Sequence, residues 1–327
     1  MAKLIPVQYG DLNYPHSMKP SVGEISLRFS YDESDIKRSI EYMKKNKVKY
    51  FSLHTQEPHT ANEKVKRDIE KNPSSIVIKN NLDNIRINPA YLWSSREWTN
   101  DFSKFLEEVS KYFEDENSIK VIELHTPKNR KYIESIDKFV KELKFFYDKT
   151  SPIFPKAKFV VENSYEKPIL YSVEEINEFS DKIDDLRNEN HRIGIALDIP
   201  QLFMASKMRD INTKEEEVVD LFERLNKSKH NIKSIHLSGA RANKNNGQSH
   251  HGDLNTLFHH GHPEGDGEID RAKSLKQNLL ECLYRLLSDE NKRYFVPELN
   301  GREDSSLKSI ISDLEERGVE FDYSSPC

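Results

Sequence analysis

Four residues of the 327-residue chain, Glu162, Asp198, His236 and Glu298, each stand at or near the end of a short apolar run, in KFVVEN, IGIALD, IKSIHL and YFVPEL respectively. A carboxylate or imidazole among buried Val, Ile and Phe is costly unless it is paired or bound to a metal. One such residue is as well explained by a structural salt bridge. Four in consecutive runs are better explained by convergence on a common ion. Carboxylate oxygen and imidazole nitrogen together suit Mn²⁺, Zn²⁺, Co²⁺, Mg²⁺ or Fe²⁺, so a divalent metal ion is expected, one to three per chain. Two further runs end in imidazoles, VKYFSLH in His54 and KVIELH in His125, the latter also carrying the carboxylate Glu123. Each of these histidines reads equally as a ligand or as a hydrogen-bonded structural residue.

A second concentration of chemistry follows His236. Six of the twelve histidines fall between His236 and His262, among them His251 of His251-Gly252-Asp253 and His262 of His262-Pro263-Glu264-Gly265. On a long loop such a cluster could bind a second metal or close on a substrate; the plain alternative is a solvated loop. The Gly265-x-Gly267 pair fits a tight turn into the next helix. It lacks the strand–turn–helix setting of a dinucleotide site.

Eight runs rich in Val, Ile, Phe or Tyr read as buried strands: Gly23–Phe29, Val48–His54, Ile85–Tyr91, Lys120–His125, Lys158–Asn163, Ile193–Asp198, Ile232–Leu237 and Tyr294–Leu299. For the third, Ser75–Lys79 competes. Helical spacing occupies Asp35–Lys45 behind a Ser34 cap, Trp98–Phe113, Asn129–Tyr147, Ser172–Arg187, Thr213–Asn226 and Ala272–Leu287. Trp93, Trp98 and the stripe Phe102, Phe105, Leu106, Val109 and Phe113 read as core. Strands alternating with helices require parallel pairing, and eight of them close without an exposed edge as an α/β (β/α)8 TIM barrel. An open doubly wound sheet is the competing architecture. The expectation is one barrel domain over residues 1–327, with a long His-rich loop at about 238–268, and with its site at the C-terminal ends of the strands.

The chain is 35% hydrophobic and 32% charged, with a net charge of −5, pI near 6.2 and mean hydropathy −0.79. This balance gives no overall attraction to polyanions, so a nucleic-acid role would need a local basic patch. Two cysteines are too few for a disulfide framework. The first residues lack the apolar run of a signal peptide, and no eighteen-residue apolar stretch occurs. A cytoplasmic protein without membrane attachment is expected.

From about residue 120 to 300 the chain resembles the xylose-isomerase-like TIM barrels, which include sugar isomerases, epimerases and endonuclease IV. The resemblance rests on VVEN at 160–163, ALDIPQLF at 196–203, IHLSGA at 235–240, GDGEID at 265–270 and PEL at 297–299. It implies that Glu162, Asp198, His236 and Glu298 hold the catalytic metal. It further implies isomerisation or epimerisation of a small sugar or polyol, with Glu162 and Glu298 moving the proton and His54, Gln201 and His262 placed to contact substrate. An endonuclease-IV-like reading would instead recruit His125, His251 and Asp253 as further ligands for phosphodiester hydrolysis, with nucleic acid as partner. There are departures. Gln201 stands where the family often has histidine, the aspartate-arginine-histidine motif of endonuclease IV is absent, Asn88 replaces a histidine before Pro89, and the segment from His54 to His125 is long. ALDIPQLFMAS and IHLSGAR also resemble the multinuclear non-haem-iron enzymes that oxidise peptide cysteines.

Overall fold

Parallel strands come in sequence order in the computed structural model: β1 (Lys3–Gln8), β2 (Val22–Ser26), β3 (Tyr50–His54), β4 (Ile119–His125), β5 (Lys158–Glu162), β6 (Ile193–Asp198) and β7 (Ile232–His236). An antiparallel pair, β8 (Gly239–Ala242) and β9 (Gln248–Gly252), precedes the eighth barrel strand, β10 (Lys292–Val296). Neighbours pair in chain order, and β10 pairs with β1 to close the barrel. A short β11 (Glu320–Phe321) lies along the start of β1, on the stretch that β2 leaves free. The protein is therefore a (β/α)8 TIM barrel. The structure describes residues 2–9, 14, 19–55, 62–87, 93–127, 133–165, 169–187, 191–242, 248–252, 254–258, 266–299 and 304–323. No helix among them is long and apolar enough to cross a membrane.

Side chains alternate between the two faces of a strand. Ile5, Val7, Val22, Val121, Val160, Ala196, Tyr294 and Val296 form an apolar layer. Two residues further along, the same faces carry Glu24, Glu123, Glu162, Asp198 and Glu298. The apolar layer thus fills the barrel beneath, and the acids crowd its C-terminal end.

The outer faces pack against amphipathic helices. Ser95 caps helix Arg96–Ser110, which turns Trp98, Phe102, Phe105, Leu106 and Val109 inward. Trp93 is buried edge-on against Phe102, Phe139 and Phe146, and Phe102 stacks on Phe146 with centroids 5.2 Å apart. Each such ring contributes about 1.5–3 kcal/mol on burial. The aromatic stripe is core, as its spacing predicts.

The structure corrects several expectations. Ile85–Ile87 is not strand but the end of a short helix, Asp83–Ile87, whose first turn is held by Asp101: Asn84 N and Nδ2 each donate to its Oδ2 at 3.0 Å. Residues 88–91 lie outside the described residues. The competing segment is also helical, Ile76–Lys79, capped by Ser75. The strand that completes the barrel is β1, which the sequence conceals because Pro6 lacks a ladder donor. Asp32, not Ser34, caps helix Glu33–Lys45, in a capping box with Asp35. The third amphipathic segment, Asn129–Tyr147, begins as helix only at Ile136 behind Ser135. The helix before β10 starts at Asp266, so Gly267 lies in its first turn rather than in a tight turn before it.

Candidate metal centre

Strand register brings the polar ends together. His54 is level with Glu123 across β3 and β4, His125 with Glu162 across β4 and β5, and Asp198 with His236 across β6 and β7. Among the described residues, two groups of side chains could each hold an ion: Glu162, Asp198, His236 and Glu298, and separately His54, His125 and Glu162. Within each group one ligand atom per residue lies within 4.8 Å of all the others, and every member is buried. Glu162 belongs to both.

His236, fully buried, spans the barrel. Its Nδ1 lies 2.9 Å from Glu298 Oε1 and its Nε2 2.9 Å from Glu123 Oε2. His54 Nδ1 lies 3.0 Å from Glu24 Oε1, and His125 Nδ1 lies 2.9 Å from Glu162 Oε2. Asp198 caps the short helix Ile199–Ala205, with Pro200 in its first turn. Its Oδ1 accepts from Gln201 N at 2.7 Å, and Gln201 Nε2 donates both to Asp198 Oδ2 at 3.0 Å and to Glu162 Oε1 at 2.9 Å. Asn163 ties the tops of β5 and β6, its Oδ1 accepting from Asp198 N at 2.7 Å and its Nδ2 donating to Asp198 O at 3.0 Å. Trp93 Nε1 donates to the carbonyl of His125 at 2.9 Å.

The electrostatics are those of crowded acids. Burial, then the negative charge of Glu123, pushes the Glu162 carboxyl up to about 8. Burial with Glu298 and Glu162 raises Asp198 well above the usual carboxylate range. Burial opposes charge on His236 and on His54, but Glu123 with Glu298, and Glu24 with Glu123, hold them well above an ordinary imidazole. Glu123 itself is lowered, its burial outweighed by His236 and His54. Among the described residues, Glu24 Oε2 and Glu123 Oε1 are buried with no hydrogen-bond partner, His54 Nε2 standing 3.5 Å from the latter. Crowded buried carboxylates, imidazoles within reach and orphaned carboxylate oxygens make a donor set that fits a divalent cation.

Of the residues expected at the site, the structure brings together Glu162, Asp198, His236, Glu298, His125, His54 and Gln201. His54, expected to contact substrate, lines the neighbouring cavity and also belongs to a candidate ligand group. Asp253 and His262 lie outside the described residues, as does the side chain of His251 on β9. Sequence reasoning missed Glu24, whose signal was a lone acid inside the apolar run GEISLRF, and it named Glu123 without giving it a role. Beside His54 opens a cavity of about 290 Å³ lined by Ser26, Arg28, Ser30, Thr55, Lys64 and Asp68, among others.

No family model and no curated protein matches the chain. Solved structures similar to it include a D-tagatose 3-epimerase-like protein, with 14% identity, covering 90% of this chain and 89% of that one at a TM-score of 0.48. Another is a xylose isomerase domain protein from Alicyclobacillus acidocaldarius subsp. acidocaldarius, with 11% identity, 96% and 98% coverage and a TM-score of 0.45. The catalytic core of a xylanase A, with 9% identity, 90% and 86% coverage, also scores 0.45. Likeness of this degree says nothing of chemistry.

Proposed function

We propose that this barrel is a divalent-metal enzyme that moves a proton on a small, sugar-like substrate, as an isomerase or epimerase. The observation that carries the reading is the convergence of Glu162, Asp198, His236 and Glu298, from four neighbouring strands, on one buried point. These four would hold the ion, which when bound polarises a substrate oxygen and acidifies the adjacent C–H. Glu162 and Glu298 supply two carboxyls beside the ion, one to take a proton from the substrate and the other to return one. Gln201 keeps Glu162 and Asp198 at a set separation. Ser26, Ser30 and Thr55 offer hydroxyls in the adjoining cavity, whose size is at the lower end of ligand pockets, about 300–1,000 Å³. That suits a small polyhydroxylated molecule rather than a polymer.

One observation favours a second reading. His54, His125 and Glu162 form a further ligand group that shares Glu162 with the first, an arrangement suited to two-metal phosphoester hydrolysis.

Elemental analysis of protein purified without chelator, with turnover of ketoses and aldoses in D₂O, tests both. One ion per chain, and deuterium taken up beside the substrate carbonyl and lost in Glu298→Gln, supports proton transfer. Two ions and hydrolysis of bis(p-nitrophenyl) phosphate without deuterium uptake support the second reading. Absence of any bound ion would overturn both.

A further inference from the structure

Buried arginines in this chain come in two kinds. Arg293 is fully buried and saturated. Its Nε donates to Ile232 O at 3.1 Å, its Nη2 to Lys229 O at 2.9 Å, and its Nη1 and Nη2 reach the two oxygens of Asp289 at 2.7 and 2.6 Å. That is how a structural guanidinium is built: every N–H edge meets an acceptor. Arg209 is the opposite case. It lies in the chain between helix Ile199–Ala205 and helix Glu215–Leu225, only 3% exposed, yet Nε, Nη1 and Nη2 are all buried with no hydrogen-bond partner among the described residues. A guanidinium stays charged and has five donors to satisfy, so leaving them all unmet is a large cost that a merely structural residue would not carry.

The surroundings say what would meet those donors. Burial disfavours the charge on Arg209, and the groups that favour it are Asp198 and Tyr165. Asp198 has both carboxylate oxygens engaged by Gln201, whose Oε1 in turn accepts from Tyr165 N at 3.3 Å. Arg209 is therefore within electrostatic reach of the corner of the centre built by the ends of β5 and β6. A cation held by Asp198 and its partners would cancel the negative charge that favours Arg209, leaving a buried guanidinium with neither an acceptor nor a compensating charge. An anion resolves both.

We propose that Arg209 is the anchor for an oxyanion, a carboxylate or phosphate carried by the substrate, on the Asp198 side of the centre. The sugar-like substrate is then an acidic one, a sugar acid or a sugar phosphate. This deepens the metal-enzyme reading and rests on it for the ion, whereas the guanidinium's need of an acceptor does not.

The test is calorimetric titration with inorganic phosphate, and separately with glycolate, of metal-loaded and chelated protein. It is run on the unmodified chain, Arg209→Met and Arg209→Lys, with metal content measured on each. At least one anion should bind the unmodified chain, about tenfold or more weakly in Arg209→Met and to an intermediate degree in Arg209→Lys, at unchanged metal content. Phosphate alone binding identifies a phosphorylated substrate; glycolate binding identifies a carboxylate. Without anion, Arg209→Met should unfold at the same temperature as the unmodified chain or higher, because it removes an unmet buried charge. Equal anion affinity in Arg209→Met, binding of neither anion, or a destabilised or unfolded Arg209→Met would overturn the proposal. A chain that binds no metal but holds phosphate through Arg209 would sink the metal reading and leave the anchor standing.

Discussion

His54 and His125, on neighbouring strands, face each other with their Nε2 atoms 2.9 Å apart. His125 Nε2 also lies 3.1 Å from the carbonyl oxygen of Thr55, which accepts. The two rings are thus held by Glu24, Thr55 and Glu162 as well as by each other. If the tetrad around His236 is the working site, His125→Ala should leave one ion per chain and keep deuterium exchange, with metal affinity reduced less than about tenfold. Elemental analysis that finds an ion lost from the variant would move weight to the two-metal reading.

Glu162→Gln should remove bound metal altogether, because Glu162 belongs to both ligand groups and an amide is a poorer ligand than a carboxylate. Metal content by mass spectrometry after dialysis checks this. Full retention would remove Glu162 from the ligand set.

Gln201→Ala should weaken metal binding about 10- to 100-fold with little change in folding, as expected for a residue that orients two ligands without being one. Competition with a chromophoric chelator reads it directly. Unchanged affinity would mean that Glu162 and Asp198 hold their positions unaided.

Acidity should stabilise the metal-free protein. Glu162 is raised from 4.5 to about 8 and Asp198 is raised as well, while His54 and His236 are raised above 6.5. All four make the folded chain hold more protons than the unfolded one, so stability falls as pH rises through these values. Glu123 has the opposite sign, but its contribution is lost only in acid, below its unfolded value of 4.5. Thermal unfolding in chelator should therefore shift down by a few degrees between about pH 5 and pH 8, the span from the ordinary carboxylate range to the raised Glu162. Metal should reduce that shift, since the cation takes the place of the protons. A midpoint that rises with pH in chelator would contradict the assigned directions.

Gly194→Ala should destabilise the barrel by about 1–3 kcal/mol. A methyl group there would stand 2.4 Å from Lys233 Cγ and 2.9 Å from Asn231 O, wedging β6 from β7 below Asp198 and His236. Denaturant midpoints measure the cost, and a neutral substitution would show that the strands can yield.

How much of this was legible in the chain follows from what each signal depends on. Acids and imidazoles spaced by two residues from apolar ones, as in Val121-Ile122-Glu123-Leu124-His125, mark one face of one strand, so the candidate ligands on β4 to β7 and beyond β10 were readable. β1 was not, because Pro6 breaks the local pattern and the strand is held by pairing with β2, β10 and β11. The helix at Asp83–Ile87 was misread as strand because its first turn is held by Asp101, from a later helix.

Alternating strand and helix, parallel pairing and the four residues of the first ligand group could be read from the chain, because they follow from periodicity within short windows and from where charge interrupts it. Which eight strands close the barrel could not, since the count included the helix at Asp83–Ile87 and lacked β1. It took the folded chain to show that His54 and His125 share Glu162 with that group, that Gln201 links two candidate ligands, and that Arg209 is buried without an acceptor among the described residues. The reason is physical. Burial and hydrogen-bond partnership are set by side chains that meet from distant segments, and an arginine in a polar stretch looks the same in sequence whether it faces water or a closed corner of the barrel.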